Sequence, residues 1–321
     1  MILIGMSRIR LSETVSSLAH NVSAMSSGGL ELLTIKIQQM TIESTNDNIP
    51  TTPAITYSEC YAQPFLLFNE SNLDTMKRMP DNFIDLTVTS PPYDGLRTYN
   101  GYSFPFENIA KELYRITKDG GVVVWVVGDA TVKGSESGTS FRQALYFKEI
   151  GFNLHDTMMY RKINYIPLTH NRYEQEFEYM FIFSKGKPKT FNPIMVECKT
   201  KGSKTNGRTF YQTNSQNIPT EGHKNDAVKE YKQRGNVWEV PTNAGAKGHP
   251  AQFPEQLAND HIISWSNEGD IIYDPFAGSG TTGKMAILNK RKCIMSEISS
   301  EYCDIIKKRL EQIINERTLF S

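Results

Sequence analysis

The sequence has little that would cross-link a chain or anchor it in a membrane. It contains only four cysteines, and none stands in a Cys-x-x-Cys pair or in a His/Cys cluster with zinc spacing. It has no apolar run of about 18 residues, and its first apolar residues lack the basic segment of a signal peptide. We therefore expect a cytoplasmic protein with no disulfide framework, no metal site and no membrane span. The cysteines are Cys60, Cys198, Cys293 and Cys303.

The sequence also has no excess of charge. Its 35 Lys and Arg residues balance 35 Asp and Glu residues, so the molecule as a whole is not a polycation. Any contact with a nucleic acid must therefore come from a local basic patch. The 321 residues suffice for a substantial core in one large domain or two smaller ones.

Composition divides the chain into four stretches. Residues 1–57 are rich in Ser, Thr and Asn, which predicts a mobile or loosely packed leader. In residues 58–184 and 248–321, apolar runs alternate with helical patterns. Residues 185–247 carry twelve Lys and Arg against five Asp and Glu, with aromatic residues interspersed. This stretch is either the local basic patch or a solvated basic loop.

The alternation of patterns indicates an α/β fold. Residues 121–127, with five valines and a tryptophan, have the composition of a strand that is buried on both faces, as in a parallel sheet. Apolar residues between 106 and 116 recur with helical spacing. Further strands are predicted at 85–89, 154–160, 178–183, 271–273 and 292–298, and further helices at 141–150, 256–265, 281–289 and 302–314.

A glycine-rich turn follows the strand at 271–273. It reads Asp274-Pro275-Phe276-Ala277-Gly278-Ser279-Gly280-Thr281-Thr282. Its glycines, with Gly283, fit the dinucleotide fingerprint, and Glu297 ends the next strand where a ribose ligand belongs. The turn nearly completes a phosphate-binding loop, but Met285 replaces the hydroxyl that would bind Mg²⁺. A turn without ligand is the simpler alternative, and the acids that end both strands argue against it.

A second short motif, Ser90-Pro91-Pro92-Tyr93, ends the strand at 85–89. Paired prolines often mark a simple turn after a strand. At the carboxyl end of a strand, however, the motif can face the same crevice as the glycine-rich turn. Because only one strand and two helices can follow that turn, earlier strands must complete the sheet, and the order is permuted.

Together the two motifs resemble those of the amino-methylating DNA methyltransferases. Residues 89–93 match the catalytic motif typical of the cytosine-N4 enzymes, residues 274–282 match the cofactor motif, and their order is that of the β group. The resemblance covers roughly residues 60–317. It implies a Rossmann-like class I methyltransferase sheet with a circularly permuted motif order and an inserted target-recognition region. It also implies S-adenosylmethionine as the methyl donor and DNA as the partner.

The resemblance assigns residues to the site. The Ser90 side chain and the Pro91 carbonyl are expected to accept hydrogen bonds from the target amine, and Tyr93 to stack on a flipped base. Asp129, which follows the strand of valines, is a weaker candidate, for help in removing the proton from the amine. The catalytic residues implied are Ser90, Pro91, Pro92 and Tyr93, and the cofactor-binding residues implied are Asp274, Phe276, Gly278, Gly280, Thr281, Thr282, Glu297, His249 and Pro250. In one departure, Glu70-Ser71 stands where relatives usually have Gly-Asp.

By the same resemblance, residues 58–184 form the catalytic half, 185–247 the target-recognition region with the DNA contacts, and 248–321 the cofactor-binding half. The alternatives are an adenine-N6 methyltransferase of the same fold, a protein-glutamine methyltransferase, and a non-catalytic DNA-binding module or P-loop NTPase. Methylation at ring carbon 5 is not expected, because no cysteine here follows a proline. The sequence is compatible with a monomer or a dimer, and it neither requires nor excludes a partner restriction nuclease.

Overall fold

The structure, a computed structural model, describes residues 53–92, 104–164, 171–204, 208–213, 216–221, 227–241 and 254–319. For 208–213, 216–221 and 317–319 only the backbone is described. The chain divides into two units after Pro53, and the other described residues belong to the second unit, residues 54–321. The predicted leader, residues 1–57, therefore lies outside the described residues up to residue 52.

The described residues form seven helices and fourteen strands. The helices are α1 (Tyr57–Ala62), α2 (Asn72–Arg78), α3 (Phe106–Ile116), α4 (Thr139–Glu149), α5 (Glu255–Trp265), α6 (Thr281–Leu288) and α7 (Ser300–Leu319). The strands are β1 (Phe65–Phe68), β2 (Ile84–Thr89), β3 (Thr117–Val127), β4 (Thr131–Val132), β5 (Ser135–Glu136), β6 (Asn153–Lys162), β7 (Phe177–Ser184), β8 (Met195–Glu197), β9 (Arg208–Thr213), β10 (Gln216–Glu221), β11 (Tyr231–Gln233), β12 (Val237–Val240), β13 (Ile271–Asp274) and β14 (Lys292–Ser296).

Eight of these strands form the central sheet, in the order β1-β14-β13-β2-β3-β7-β6-β12. Neighbours are parallel except at β7, which is antiparallel to both β3 and β6. Every strand of the sheet except β7 therefore ends at the same edge, which we call the carboxyl edge. Ligands of open α/β sheets bind at this edge.

The sheet is covered on both faces because its central strands are apolar on both sides. In β3, Val122 and Val124 belong to one core cluster, whereas Val123 and Trp125 belong to the other, as a side-chain period of two requires. The first cluster includes buried residues of α5, α6 and α7. The second includes buried residues of α1, α2, α3 and α4. The molecule is thus a three-layer α/β structure, and the predicted α/β class is confirmed.

The helices and strands predicted from the sequence are all present, with bounds that differ by a few residues. Strand β3 begins earlier than predicted, at the polar residues 117–119, because Thr117 pairs with Ile84 across an irregularity in the β2–β3 ladder. Four elements of the central sheet and its covering helices were not predicted, namely β1, β12, α1 and α2. Ile55, within the predicted leader, is buried and donates its backbone N–H to Arg78 O at 2.8 Å. The folded unit therefore includes the last residues of that stretch.

The interval 185–247 is not wholly separate from the sheet. Its strand β12 pairs with β6 and forms one margin of the sheet. Ahead of β12, the backbone N–H of Arg234 donates to Ile194 O at 2.8 Å, so the chain leaves and returns at adjacent residues. Strands β8 and β11 pair just beyond this point. Within the described residues, no helix has the length and apolarity to cross a membrane.

Candidate active site

The strands that carry the two predicted motifs are neighbours in the sheet. Strands β2 and β13 are parallel, with Leu86 opposite Ile272 and Thr87 opposite Tyr273. Beyond this register the strands are joined by side chains. The Thr89 hydroxyl donates to Asp274 Oδ1 at 2.7 Å, and the bond is buried. The residue before Ser90 is therefore hydrogen-bonded to the first residue of the glycine-rich turn.

The Ser-Pro-Pro segment follows β2 directly at the carboxyl edge. Ser90 and Pro92 are half-buried and Pro91 is buried, so the segment lies against the protein and keeps part of its surface accessible. The two prolines fix φ at two successive residues, which restricts the conformations of the segment. Tyr93, the fourth predicted catalytic residue, lies outside the described residues.

The glycine-rich turn has a backbone shape that depends on glycine. Gly278 and Gly280 have φ values of 52° and 77°, in the left-handed region that other residues rarely adopt. The turn is closed by a bond from Gly280 N–H to Ala277 O at 2.8 Å. Helix α6 begins immediately afterwards at Thr281. The first N–H groups of a helix lack helical partners and suit an anionic group, so this end of the turn can bind a carboxylate.

Asp274 is a buried carboxylate at the end of β13, with 4% of its surface exposed. Burial raises its pKa from the ordinary 3.8 to about 6, although hydrogen bonds from Thr89 and the Phe276 N–H favour the ionised form. Both bonds are received by Oδ1, at 2.7 and 3.1 Å. A desolvated carboxylate of this kind favours a cationic partner.

Glu297 lies at the end of β14 on the other side of the turn. Its Oε2 accepts from Gly278 N–H at 2.8 Å, and its Oε1 accepts from Ser299 N–H at 2.9 Å. Burial raises its pKa, and these backbone bonds act in the opposite direction. Each oxygen of a carboxylate can accept more than one hydrogen bond, so Glu297 can also accept from hydroxyl groups of a ligand.

Phe276 lies in the glycine-rich turn, two residues after the end of β13. Its ring is 5.7 Å from the Phe104 ring and 6.3 Å from the Trp125 ring, centroid to centroid, in edge-on geometries. The ring is half-buried, so one part packs on the core and another remains accessible. Phe276 is therefore placed to give the crevice an apolar wall.

The two threonines at the start of α6 are buried, and their hydroxyls contact other groups of the protein. Thr282 donates to Val88 O at 3.2 Å, a second bond between the turn and β2. Thr281 Oγ1 is 3.5 Å from Arg309 Nη1. A contact from Thr282 to a bound carboxylate would therefore come from its backbone N–H. His249 and Pro250, the remaining predicted cofactor residues, lie outside the described residues.

Two asparagines that sequence reasoning missed hold the turns of the site together. Asn69, which follows β1, donates its carboxamide to Glu297 O at 2.9 Å and to Ile298 O at 3.0 Å. Asn72 donates to Pro275 O at 3.2 Å. A single polar loop thus braces the ends of β13 and β14. The sequence carried no usable signal for this role because β1 itself was not predicted.

The departure at Glu70-Ser71 has a structural explanation. Glu70 Oε1 accepts from Arg78 at 2.8 Å and from the Thr75 hydroxyl at 2.9 Å. Ser71 caps helix α2 by accepting from Asp74 N–H. Ser71 therefore stabilises the start of α2, and Glu70 binds residues in its middle and at its end.

Asp129 also has a structural role. Its oxygens accept from the Ser140 N–H at 2.9 Å, the Ser137 hydroxyl at 3.0 Å and the Ser140 hydroxyl. The carboxylate is buried and lies at the start of α4. Its hydrogen bonds are thus made with the first turn of that helix and the residues before it.

Some cations of the interval 185–247 are used inside the protein. Lys185 donates to Tyr114 O and Thr117 O at the end of α3, at 3.0 and 3.1 Å. Arg234 pairs with Asp260 at 2.9 Å and lies over the Trp238 ring. Lys201 pairs with Glu197 on the surface. In the described part of this interval, fewer basic side chains are therefore available to bind DNA than the count of basic residues suggests.

The residues at the carboxyl edge fit S-adenosylmethionine. The site offers a buried carboxylate for an ammonium, a second carboxylate for ribose hydroxyls, a helix start for a carboxylate and an aromatic wall. The positive φ of Gly278 and Gly280 gives the turn a backbone shape that residues with side chains rarely adopt. Among the described residues, no cluster of His, Cys, Asp and Glu could hold a metal ion.

Comparison with known proteins gives the family. A family model described as DNA methylase, for N6 and N4 methyltransferases, matches residues 84–308. This chain belongs to that family. It is a DNA methyltransferase that takes the methyl group from S-adenosylmethionine and acts on DNA.

Two curated relatives are informative. The orphan methyltransferase M.BamHII of Bacillus amyloliquefaciens is 59% identical over 245 residues, which cover 73% of this chain and 91% of that protein. The DNA adenine methyltransferase YhdJ of Escherichia coli (strain K12) is 30% identical over 74% of this chain and 80% of its own. The aligned region thus covers most of the length of each relative.

Solved structures show the same fold. The PvuII DNA methyltransferase, which is cytosine-N4-specific, matches with a TM-score of 0.55 and 21% identity over 75% of this chain and 84% of its own. The M1.HpyAVI–SAM complex matches with a TM-score of 0.52 and 21% identity over 77% of this chain and 98% of its own. The predicted Rossmann-like class I methyltransferase fold is confirmed.

Proposed function

We propose that this enzyme transfers a methyl group to the exocyclic N4 amine of cytosine in DNA, by base flipping and direct in-line transfer. The observation that carries the proposal is the 2.7 Å bond from the Thr89 hydroxyl to Asp274. It joins the strand that ends in Ser90-Pro91-Pro92, the form of the motif typical of cytosine-N4 enzymes, to the turn proposed to bind the methyl donor. Acceptor amine and donor methyl group would then meet at the carboxyl edge.

S-adenosylmethionine, when bound, supplies a methyl group on a sulfonium, which is an excellent leaving group. The protein therefore has mainly to align the amine and exclude water, and acid–base catalysis is secondary. In the transfer, the nitrogen–carbon bond forms as the carbon–sulfur bond breaks. The amine then loses one proton to solvent, because a neutral serine is a weak base.

The catalytic roles fall to the segment after β2. The Ser90 hydroxyl oxygen and the Pro91 carbonyl would accept the two amine hydrogens and favour a more nucleophilic, pyramidal nitrogen. Pro91 and Pro92 would keep the segment rigid, and Tyr93 would stack on the flipped base. The burial of Pro91 and the partial burial of Ser90 support an arrangement of the acceptors that exists before DNA binds.

The cofactor would be held by residues of the turn and the strands around it. Asp274 would face the ammonium of its methionine part, and Glu297 would accept from the ribose hydroxyls. Gly278 and Gly280 would give the turn that lines the cofactor its shape, Phe276 would give an apolar contact, and Thr281 and Thr282 would offer helix N–H groups to the carboxylate. His249 and Pro250 are proposed to close over the methionine end.

We further propose that residues 58–184 form the catalytic half, residues 185–247 the target-recognition region, and residues 248–321 the cofactor-binding half. The net positive charge of the middle interval supports phosphate contacts, and its aromatic residues support contacts with bases. Phosphate contacts would place the enzyme on DNA, whereas base contacts would select the sequence.

Mass spectrometry of nucleosides tests the proposal directly. Genomic DNA that lacks methylated cytosine and adenine is incubated with the enzyme and a methyl-deuterated donor, then digested. We expect labelled N4-methyldeoxycytidine, and its loss with Ser90→Ala, because that variant lacks the hydroxyl acceptor. Ser90→Ala should still bind the donor, which separates a loss of transfer from a loss of folding. Label in 5-methyldeoxycytidine would contradict the proposal.

The second candidate is adenine-N6 methylation by the same site. It is favoured by the 30% identity to YhdJ, a DNA adenine methyltransferase. The Asp or Asn usual at the motif position of adenine enzymes differs from Ser90 by one residue. In the same experiment, label in N6-methyldeoxyadenosine would replace the first candidate by the second.

A further inference from the structure

The C-terminal helix α7 packs directly against the glycine-rich turn and the helix that follows it. A Cβ atom added to Gly280 would lie 3.0 Å from Ile306 Cγ1. One added to Gly283 would lie 3.5 Å from Leu310 Cδ1. Ile306 and Leu310 are fully buried, so this face of α7 supports the turn from the core side.

Arg309 lies between these two residues in sequence and reaches the turn itself. Its Nη1 donates to Ser279 O at 2.8 Å, and its Nη2 donates to Glu255 Oε1 at 2.5 Å. A guanidinium presents several N–H groups in a fixed plane, so one side chain can hold both acceptors at once. Arg309 also lies one residue beyond the part of the chain that the family model matches.

The same glutamate binds a second cation. Lys284 of α6 donates to Glu255 Oε1 at 2.7 Å. Glu255 begins α5, so one carboxylate joins three helices. Burial acts to raise the pKa of Glu255, but the hydrogen bonds and charges of Lys284 and Arg309 outweigh it and lower the pKa. Lys284 therefore shares the partner of Arg309, while no described bond joins the Lys284 ammonium to the turn.

The Ser279 carbonyl belongs to the peptide unit that joins Ser279 to Gly280, and Gly280 has a positive φ. A peptide flanked by glycine can rotate at little steric cost, because glycine populates both signs of φ. The orientation of this peptide decides where the Gly280 N–H and the start of α6 point. A hydrogen bond from a charged donor to its carbonyl opposes that rotation.

We propose that Arg309 is a positioning residue for the methyl donor: by holding the Ser279 carbonyl, it keeps the turn of Gly278 and Gly280 in its binding shape. The inference rests on the proposed assignment of that turn as the donor site. It adds to the site a residue of the last helix that neither motif contains. Arg309 acts through the turn and does not itself touch the reacting atoms.

A comparison of two variants, each of which lacks one positive charge, tests this role. Arg309→Met and Lys284→Met each remove one cation from Glu255, but only Arg309→Met removes the bond to Ser279. Binding of S-adenosylmethionine and of S-adenosylhomocysteine is measured by titration calorimetry. We expect Arg309→Met to raise both dissociation constants about tenfold, and Lys284→Met to leave them within about twofold. Thermal unfolding without ligand reports any general loss of stability.

Further variants keep the test decisive. If Arg309→Met is unstable, Arg309→Lys keeps the charge and the stem but cannot hold both acceptors, and we expect a smaller loss of affinity in the same direction. Gly278→Val, strained by its positive φ, should abolish donor binding if the site is assigned correctly. If Gly278→Val abolishes binding while Arg309→Met and Arg309→Lys bind the donor normally, the role of Arg309 is wrong. If Gly278→Val binds the donor normally, the site assignment and the role of Arg309 both fail.

Discussion

The ends of β13 and β3 present the same residue type in two different settings. Asp274 and Asp129 are both buried acids at the carboxyl edge, with 4% and 7% of their surfaces exposed. Asp129 accepts from the N–H and hydroxyl of Ser140 and from Ser137, all at or just before the start of α4. Asp274 receives bonds from Thr89 and Phe276 on one oxygen, and the Thr282 side chain also favours its ionised form. The two acids thus differ in their partners and not in their burial, and only Asp274 is proposed to meet a ligand.

Replacing each aspartate by asparagine gives the largest expected contrast. Asp274→Asn removes the charge proposed to bind the ammonium of the donor, and we expect donor affinity to fall about a hundredfold. Asp129→Asn weakens the anchor of α4, and we expect the free energy of unfolding to fall by about 1–2 kcal/mol. Calorimetric titration and denaturant unfolding are carried out on both variants. Equal losses of donor affinity in the two folded variants would remove the distinction.

The pH dependence of donor binding sharpens the same contrast through the titration of Asp274. Its pKa is raised to about 6 in the folded protein, and the proposed site needs the ionised form. Donor affinity should therefore fall as the pH is lowered through about 6, approaching tenfold per unit below it. Titrations from pH 8 to pH 5 measure this fall. Asp274→Asn should lack this step, and a flat wild-type profile would contradict the role of Asp274.

Stability should respond to Asp274 with the opposite sign. A carboxyl whose pKa is raised on folding stabilises the folded state fully below pH 3.8, and this contribution is lost as the pH rises through about 6. Asp274→Asn should therefore unfold at a higher temperature than the wild type at pH 7.5. The gain should shrink at pH 5, with Glu297 still titrating in both proteins. Thermal unfolding at the two pH values checks the sign.

Thr89 offers a smaller change at the same junction. Thr89→Val keeps the shape but removes the hydroxyl that bonds Asp274. We expect a roughly tenfold loss of donor affinity at pH 7.5, because the carboxylate loses a hydrogen bond in a buried site and its pKa rises further. The pH midpoint of donor binding should move upward. Thr89→Ser, which restores the hydroxyl, should recover most of the affinity, and a Ser variant as weak as the Val variant would argue against the bond.

Thr87 is the matched control on the same strand and gives the smallest expected effect. Its hydroxyl is fully buried and has no hydrogen-bond partner among the residues that the structure describes. Thr87→Val should therefore raise the free energy of unfolding by about 1 kcal/mol, since an unsatisfied buried hydroxyl is removed. Donor affinity should not change. Denaturant unfolding tests this, and a clear loss of stability would show that the hydroxyl is satisfied in solution.

The main fold elements could be predicted because their signals are local. The valines of β3, the apolar stripe of α3 and the turn after β13 each follow from a short stretch of sequence. The sequence also predicted that both motifs face one crevice, because both follow strands that end at one edge, but it did not predict that β2 and β13 are neighbours. The bond between Thr89 and Asp274 is the particular contact that this adjacency produces.

The supports of the site could not be predicted, because they depend on long-range contacts. Asn69 and Asn72 reach residues more than 200 positions away in the chain. Arg309 has no pattern of its own, since a basic residue on the exposed side of a helix usually faces solvent. Asp129 looked like a candidate for catalysis only because the start of α4 was not known to lie against it.

The bond between Arg234 and Ile194 has a consequence for how such enzymes diversify. The bond joins the residues that flank the interval 195–233, so this interval starts and ends at neighbouring positions of the fold. Lengthening or exchanging a loop whose ends are already tied changes the chain entropy only slightly. The interval 195–233 can therefore change in length and sequence while β6 and β12 keep their register.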